Sequence, residues 1–141
     1  MYRHILVAVE HSKADEAILE HVKALAGLTK ARLLLVHVAD GFAARHFEDL
    51  NLRESEEIRE DRAYLARRCH ELREAGLTVE THLAMGDPAT ELIRIAGEAN
   101  VDLIAMSTHG HRLLGDIIHG TTVDRVRHTV HVPVLLLRGQ T

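Results

Sequence analysis

Short apolar runs alternate along the chain with longer stretches in which apolar residues recur at helical spacing, the pattern of a parallel sheet covered by helices. The first run, Ile5-Leu6-Val7-Ala8-Val9, is too uniformly apolar for a strand with one wet face and reads as a central strand buried on both sides. Ser12 is expected to cap the helix that follows, its side chain accepting from the N–H near Asp15. Ala14, Ala17, Ile18, Val22, Leu25 and Ala26 fall on one face of that helix, and Gly27 weakens its end near residue 28. Leu33 to Val38 is the second strand, and the stretch from Ala39 to about Leu52 lacks a period, a loop of the length often used for lids. From about Glu48 or Arg53 to Ala75 a highly charged helix carries Ile58, Leu65, Cys69 and Leu72 on one stripe and stops at Gly76.

Leu77 to Leu83 alternates as a third strand, and Gly86-Asp87-Pro88 supplies a turn, an N-cap and a proline at the first helical position. Ala89, Leu92, Ile93 and Ala96 then face the core. Val101 to Met106 is the fourth strand, and Leu113, Leu114, Ile117, Ile118, Val123, Val126 and Val130 outline the next helix. Val132 to Leu137 closes the chain, with Pro133 marking an edge strand because a central one would lose a ladder bond there. Five strands with four intervening helical segments and right-handed crossovers predict an α/β fold, an open, doubly wound five-stranded parallel sheet with helices on both faces, spanning 1–141 as a single domain.

Ligands of such sheets bind beyond the strand carboxyl ends. That rule groups Glu10, His11 and Ser12 after strand 1, Val38, Ala39 and Asp40 after strand 2, and Ser107 to Gly110 after strand 4 into one crevice, provided strands 1 and 4 flank the switch point. Ser107-Thr108-His109-Gly110, followed by Gly120-Thr121-Thr122 opening or interrupting a helix, has the makings of an anion cradle of backbone N–H groups.

Composition narrows the partners. The length of 141 residues suits one core, and 46% hydrophobic with 27% charged residues is ordinary for a globular protein. With 3% aromatic residues, a net charge of -4 and scattered Lys and Arg, nucleic acid is not an expected partner. The one cysteine, Cys69, excludes an internal disulfide, fits a reducing compartment and reads as a small packed hydrophobe. No signal-type segment and no run of eighteen apolar residues is present, so a cytoplasmic protein without a membrane partner is expected.

The twelve histidines show no HxxxH or Cys/His spacing. His109 and His111, the one H-x-H pair, read as turn and phosphate-facing residues, and His37 as a satisfied core histidine, so no metal ligand is assigned. G-x-x-x-x-G-K-[ST] is missing, since Gly110 and Gly115 are followed by His111 and Asp116, and no G-x-G-x-x-G follows strand 1. A phosphoacceptor receiver would end strand 3 in an aspartate and strand 5 in a lysine, where this chain has Leu83 and Arg138. There is no G-x-S-x-G, and Ser12, Ser55 and Ser107 lack an identifiable base, so no catalytic residue is assigned.

The ordered set I-L-V-A-V-E-H-S at 5–12, L-V-H-V at 35–38, G-D-P at 86–88, S-T-H-G-x9-G-T from 107 and V-P-V-L-L-L at 132–137 resembles the universal stress protein family, whose nucleotide-binding members carry G-x2-G-x9-G-[ST] after strand 4. The resemblance implies adenine and ribose near Ala8, Val9, Glu10, Val38 and Met106, and phosphates against Ser107, Gly110, Gly120, Thr121 and Thr122. His109 would orient the loop, and His111 or Arg112 would face the phosphates. The residue chemistry agrees: Val38 and Met106 are apolar enough to sandwich a base, and Glu10 is able to accept from a ribose hydroxyl.

Ser107 stands in place of the first glycine, Glu10 in place of an aspartate and His11 in place of a glycine. The implied ligand is ATP, ADP or AMP, with Mg2+ or Mn2+ held through the phosphates. The implied role is that of a stress-response regulatory protein whose nucleotide state alters a homodimer, paired through the C-terminal strand, or a regulatory protein partner. A slow ATPase or phosphotransferase and a nucleotide-free interaction module are the alternatives.

Overall fold

In a computed structural model of the chain the described residues are 1–40, 51–108 and 114–139, with backbone alone described for residues 40, 51–55 and 114–120. The strands β1 (His4–Ala8), β2 (Arg32–Asp40), β3 (Val79–Gly86), β4 (Leu103–Thr108) and β5 (Val134–Arg138) alternate with the helices α1 (Ala14–Thr29), α2 (Asn51–Glu74), α3 (Pro88–Glu98) and α4 (Leu114–Thr129). All pairings are parallel and the strand order is β3-β2-β1-β4-β5. The winding therefore reverses between β1 and β4, the switch point expected from the sequence.

The uniform apolarity of the first run has the predicted cause. Ile5 and Val7 point into a core layer shared with α1 and α2, among Ile18, Val22, Leu33, Leu35, Leu65 and Leu72. Leu6 points to the opposite layer, among Val36, Leu92, Ile95, Ile104 and Val126 of the α3 and α4 face. Ile5, Leu6 and Val7 are wholly inaccessible to solvent. Cys69 is buried in the first layer, its thiol turned to the Val79 carbonyl. Among the described residues no helix is long and apolar enough to cross a membrane.

Several boundaries differ from the sequence reading, each because a long-range partner extends or displaces an element. β2 continues to Asp40, paired with Gly86 of β3, and the remainder of the stretch read as a loop, 41–50, lies outside the described residues. β3 starts two residues late because Leu77 and Gly76 donate back to Leu72 and Arg73 to close α2, with Gly76 at φ 93. Ser107 and Thr108, expected in a loop, are the last residues of β4, in register with Leu137 and Arg138. β5 is the edge strand that Pro133 implied, and the Pro133 carbonyl accepts from Ile104.

Two local expectations are corrected. Lys13 occupies the N-cap of α1 without a side-chain cap bond, while the Ser12 hydroxyl accepts from Ala14 at 3.2 Å. Gly120, Thr121 and Thr122 neither open nor interrupt a helix: α4 runs continuously across them and takes their N–H groups into its own ladder.

Candidate functional site

At the carboxyl ends of β1, β2 and β4 a cleft of about 590 Å³, counting the part open to solvent, lies against the α3 and α4 side of the sheet. Strand residues Ala8, Val36, Val38 and Met106 form its floor, Pro88 and Leu92 of α3 and Thr122 and Val123 of α4 form its walls, and Val9, Glu10, His37 and Ser107 complete the lining. Most of this surface is apolar, so a flat heteroaromatic group entering it would be desolvated on both faces.

Of the residues singled out from the sequence, Ala8, Val9, Glu10, Val38, Met106, Ser107 and Thr122 line this cleft. Thr121 is exposed beside Thr122, and Gly120 precedes both on α4. His109, Gly110, His111 and Arg112 lie outside the described residues. Val36, Leu92 and Val123 also line the cleft and were not singled out, because an apolar residue at the end of a core stripe looks the same whether it meets another side chain or an opening. Pro88 was readable: the Gly86-Asp87-Pro88 turn leaves β3 at the ligand-binding edge.

Ser107 owes its side chain to packing. Its hydroxyl is buried and donates to the Ala14 carbonyl at 3.2 Å, turned toward α1. Gly139, leaving β5, donates its N–H to Thr108 at 2.8 Å and passes so close to α1 that a Cβ there would meet the Ala14 Cβ at 2.7 Å. The end of β4 is thus fastened to α1 and to the chain beyond β5.

Two strand-to-helix turns at this edge are filled from within. The Asp15 carboxylate, fully buried, accepts from the backbone N–H of Glu10 at 2.8 Å, His11 at 2.8 Å and Ser12 at 3.4 Å, and from the Tyr64 hydroxyl. Burial, and then the bond to Asp15, pushes the Tyr64 hydroxyl far above its ordinary pKa, so it stays a donor. In the turn before α3, Asp87 accepts from the Thr90 hydroxyl at 2.6 Å and N–H at 3.0 Å and pairs with Arg125 at 2.7 Å. The Thr90 bonds, with Arg125 adding to them, hold the Asp87 carboxyl below the usual carboxylate range. The N–H groups of Glu10, His11 and Ser12 are thus taken by Asp15, and that of Thr90 by Asp87.

His11 sits at φ 62, a left-handed backbone that a glycine would adopt freely. Its ring stacks on Tyr64 at 4.1 Å between centroids and its Nδ1 lies 2.8 Å from Asp61 Oδ1. His37 has polar partners, as the sequence implied, but it borders the cleft as well as the core: Nδ1 is 3.0 Å from the Val9 carbonyl and Nε2 is 3.4 Å from Asp61 Oδ2. Among the described residues no group of three His, Cys, Asp or Glu side chains is arranged to hold a metal ion.

The chain is similar to the universal stress protein MJ0577 of Methanocaldococcus jannaschii, with 28% identity over 98% of this chain and 96% of that protein. A solved structure of MJ0577 superimposes with a TM-score of 0.83 at 29% identity, covering 100% of this chain and 99% of the other. A universal stress protein from Archaeoglobus fulgidus in complex with dAMP shares the fold, with a TM-score of 0.73 at 23% identity over 97% of this chain and 98% of its own. So does one in complex with cAMP, with a TM-score of 0.70 at 17% identity over 97% of each chain. Residues 1–138 match the family model described as the universal stress protein family, and the chain belongs to that family.

Proposed function

We propose that the chain binds an adenine nucleotide in this cleft and acts as a regulatory protein whose nucleotide state alters a homodimer or a partner surface. The observation that carries the reading is the cleft itself, apolar on floor and walls and placed at the switch point, with Glu10 on its lining. Val38 and Met106 would take the base between them, and Glu10 would accept from the ribose. Because Asp15 and Asp87 fill the turns before α1 and α3, the phosphates would extend toward the segment between β4 and α4. Ser107 would stand just before that segment and Gly120, Thr121 and Thr122 about two turns into α4, with His109, Gly110, His111 and Arg112 within the segment.

A bound Mg2+ or Mn2+ would be held through the phosphate oxygens, in keeping with the hard-oxygen preference of these ions. The relatives in complex with dAMP and cAMP support an adenine ligand. The edge position of β5, with Val134 to Leu137 half-buried, supports pairing with a second copy through that strand. A reducing, cytoplasmic setting fits the one cysteine, which is buried and free.

Denaturing freshly purified protein and weighing what it releases, together with ATP and Mg2+ titration calorimetry, tests the reading. An adenine nucleotide in the released fraction and saturable binding are expected, with Val38→Asp weakening binding more than tenfold by placing a carboxylate against the base. No heat and no gain in thermal stability at millimolar ATP would overturn it in favour of a nucleotide-free interaction module.

A further inference from the structure

On the α2 side of the sheet, at the same carboxyl edge as the cleft, Asp61 presents each of its oxygens to a different histidine. Oδ1 lies 2.8 Å from His11 Nδ1 and Oδ2 lies 3.4 Å from His37 Nε2. Tyr64, three residues on and hence on the same face of α2, stacks on the His11 ring and bonds Asp15. The cluster ties α2 to the turn after β1 and to the end of β2, the two strand ends that supply Val9, Glu10, His37 and Val38 to the cleft.

The two ring nitrogens of His37 face acceptors on both sides. Nδ1 meets the Val9 carbonyl at 3.0 Å and Nε2 meets the Asp61 carboxylate. A neutral imidazole has a single N–H, so it leaves a lone pair against the Val9 carbonyl or against the Asp61 carboxylate; an imidazolium donates to Val9 and faces Asp61 as an ion pair at 3.4 Å. His11 is different, since a neutral ring with its proton on Nδ1 already satisfies Asp61.

We propose that Asp61 is a positioning residue of the nucleotide site, clamping the ends of β1 and β2 through His11 and His37, and that the clamp is complete only while His37 carries a proton on each ring nitrogen. The proposal rests on the adenine-nucleotide reading and adds to it a dependence on acidity. As pH rises and histidine loses its charge, His37 keeps either Val9 or Asp61, the strand ends lose one tie to α2, and affinity for the nucleoside falls.

Among the described residues, the following charged and titratable groups lie around the pair. Asp15 of α1 is occupied by three backbone N–H groups and Tyr64. Glu16 of α1 is paired with Arg68 of α2 at 2.6 Å, and Arg68 also meets Glu71. The Arg67 and Arg68 guanidinium carbons lie 5.3 and 5.8 Å from the centre of the Tyr64 ring. Glu10 follows Val9 in the chain, and β3 sets apolar Leu83 beside His37 in register.

Adenosine is the probe, because it carries no group that titrates near neutrality whereas the phosphates of ATP do. Its affinity for the wild-type chain is expected to fall at least fivefold between pH 5.5 and 8.5, and to be weak and flat with pH in Asp61→Asn. His37→Asn supplies a second variant if Asp61→Asn does not fold: an asparagine amide is able to replace Nδ1 at the Val9 carbonyl but does not reach Asp61, and it too should give a flat profile. A flat wild-type profile with adenosine bound, or an undiminished slope in either variant, would overturn the clamp. If neither adenosine nor ATP binds, the nucleotide reading falls by itself, and ring 15N shifts of His37 decide the clamp: an imidazolium pattern lost in Asp61→Asn upholds it, and the same pattern in both proteins overturns it.

Discussion

The two faces of the sheet end differently at the same edge. Toward α3 and α4, small and apolar residues, Ala8, Val36, Val38 and Met106, leave an open cleft. Toward α1 and α2 the corresponding space is filled by Asp15, Tyr64, His11, Asp61 and His37, hydrogen-bonded to one another and to the backbone. Helices on both faces begin at this edge with the N–H groups of their first turns pointing toward it, so either side is a place for an anionic ligand. Here the chain supplies its own anion on one side, Asp15 in the turn after β1, and leaves the other side to a ligand. The position of the cleft thus depends on what fills the opposite face as much as on what is missing from its own.

The sharpest way to break this comparison is to remove the internal anion. Asp15→Ala leaves three backbone N–H groups and the Tyr64 hydroxyl facing a fully buried gap, and a loss of about 3–5 kcal/mol is expected from buried polar partners stripped of their acceptor. Denaturant unfolding would read it as a lower midpoint at unchanged slope. A cost below about 1 kcal/mol would mean that the polar face does not hold the turn, and the contrast between the faces would lose its physical basis. Tyr64→Phe removes one of the four donors and keeps the ring against His11, so about 1–2 kcal/mol is expected in the same measurement.

The open face was more legible in the sequence than the filled one. Uniform apolarity at residues 5–9 identified the central strand, Pro133 the edge, and Asp87-Pro88 the start of α3, because each signal lies within a few residues of the structure it causes. The strand-end rule then put Glu10, Val38 and Ser107 around one crevice, to which the family resemblance added Ala8 and Met106. The filled face depends on partners far apart in the chain: Tyr64 reaches Asp15 across 49 residues and Asp61 reaches His11 across 50. No local pattern announces such a bond, so Ser12, the locally plausible cap, was expected where Asp15 does the holding. The Ser107 hydroxyl shows the same limit: it donates to a carbonyl 93 residues away, at Ala14, a bond that no local pattern announces.

Asp87 offers the mildest test, since it caps a helix as Asp15 braces a turn but does so in water, its side chain 51% exposed. Asp87→Ala should cost about 1 kcal/mol, the ordinary worth of an N-cap, and leave the cleft in place. Acid gives a further test of Asp87. The Thr90 bonds, with Arg125 adding to them, depress the Asp87 pKa in the folded chain, so its stabilisation is complete above the unfolded value near 3.8 and is lost as pH falls through the lower folded value. Exposure and salt screening keep that contribution small. Asp87→Asn should therefore flatten the stability profile only below about pH 4, where an unfolded aspartate begins to take up its proton. A comparable loss at pH 7 from Asp87→Ala and Asp15→Ala would show that burial does not separate the two carboxylates, and that the filled face is held by packing rather than by its hydrogen bonds.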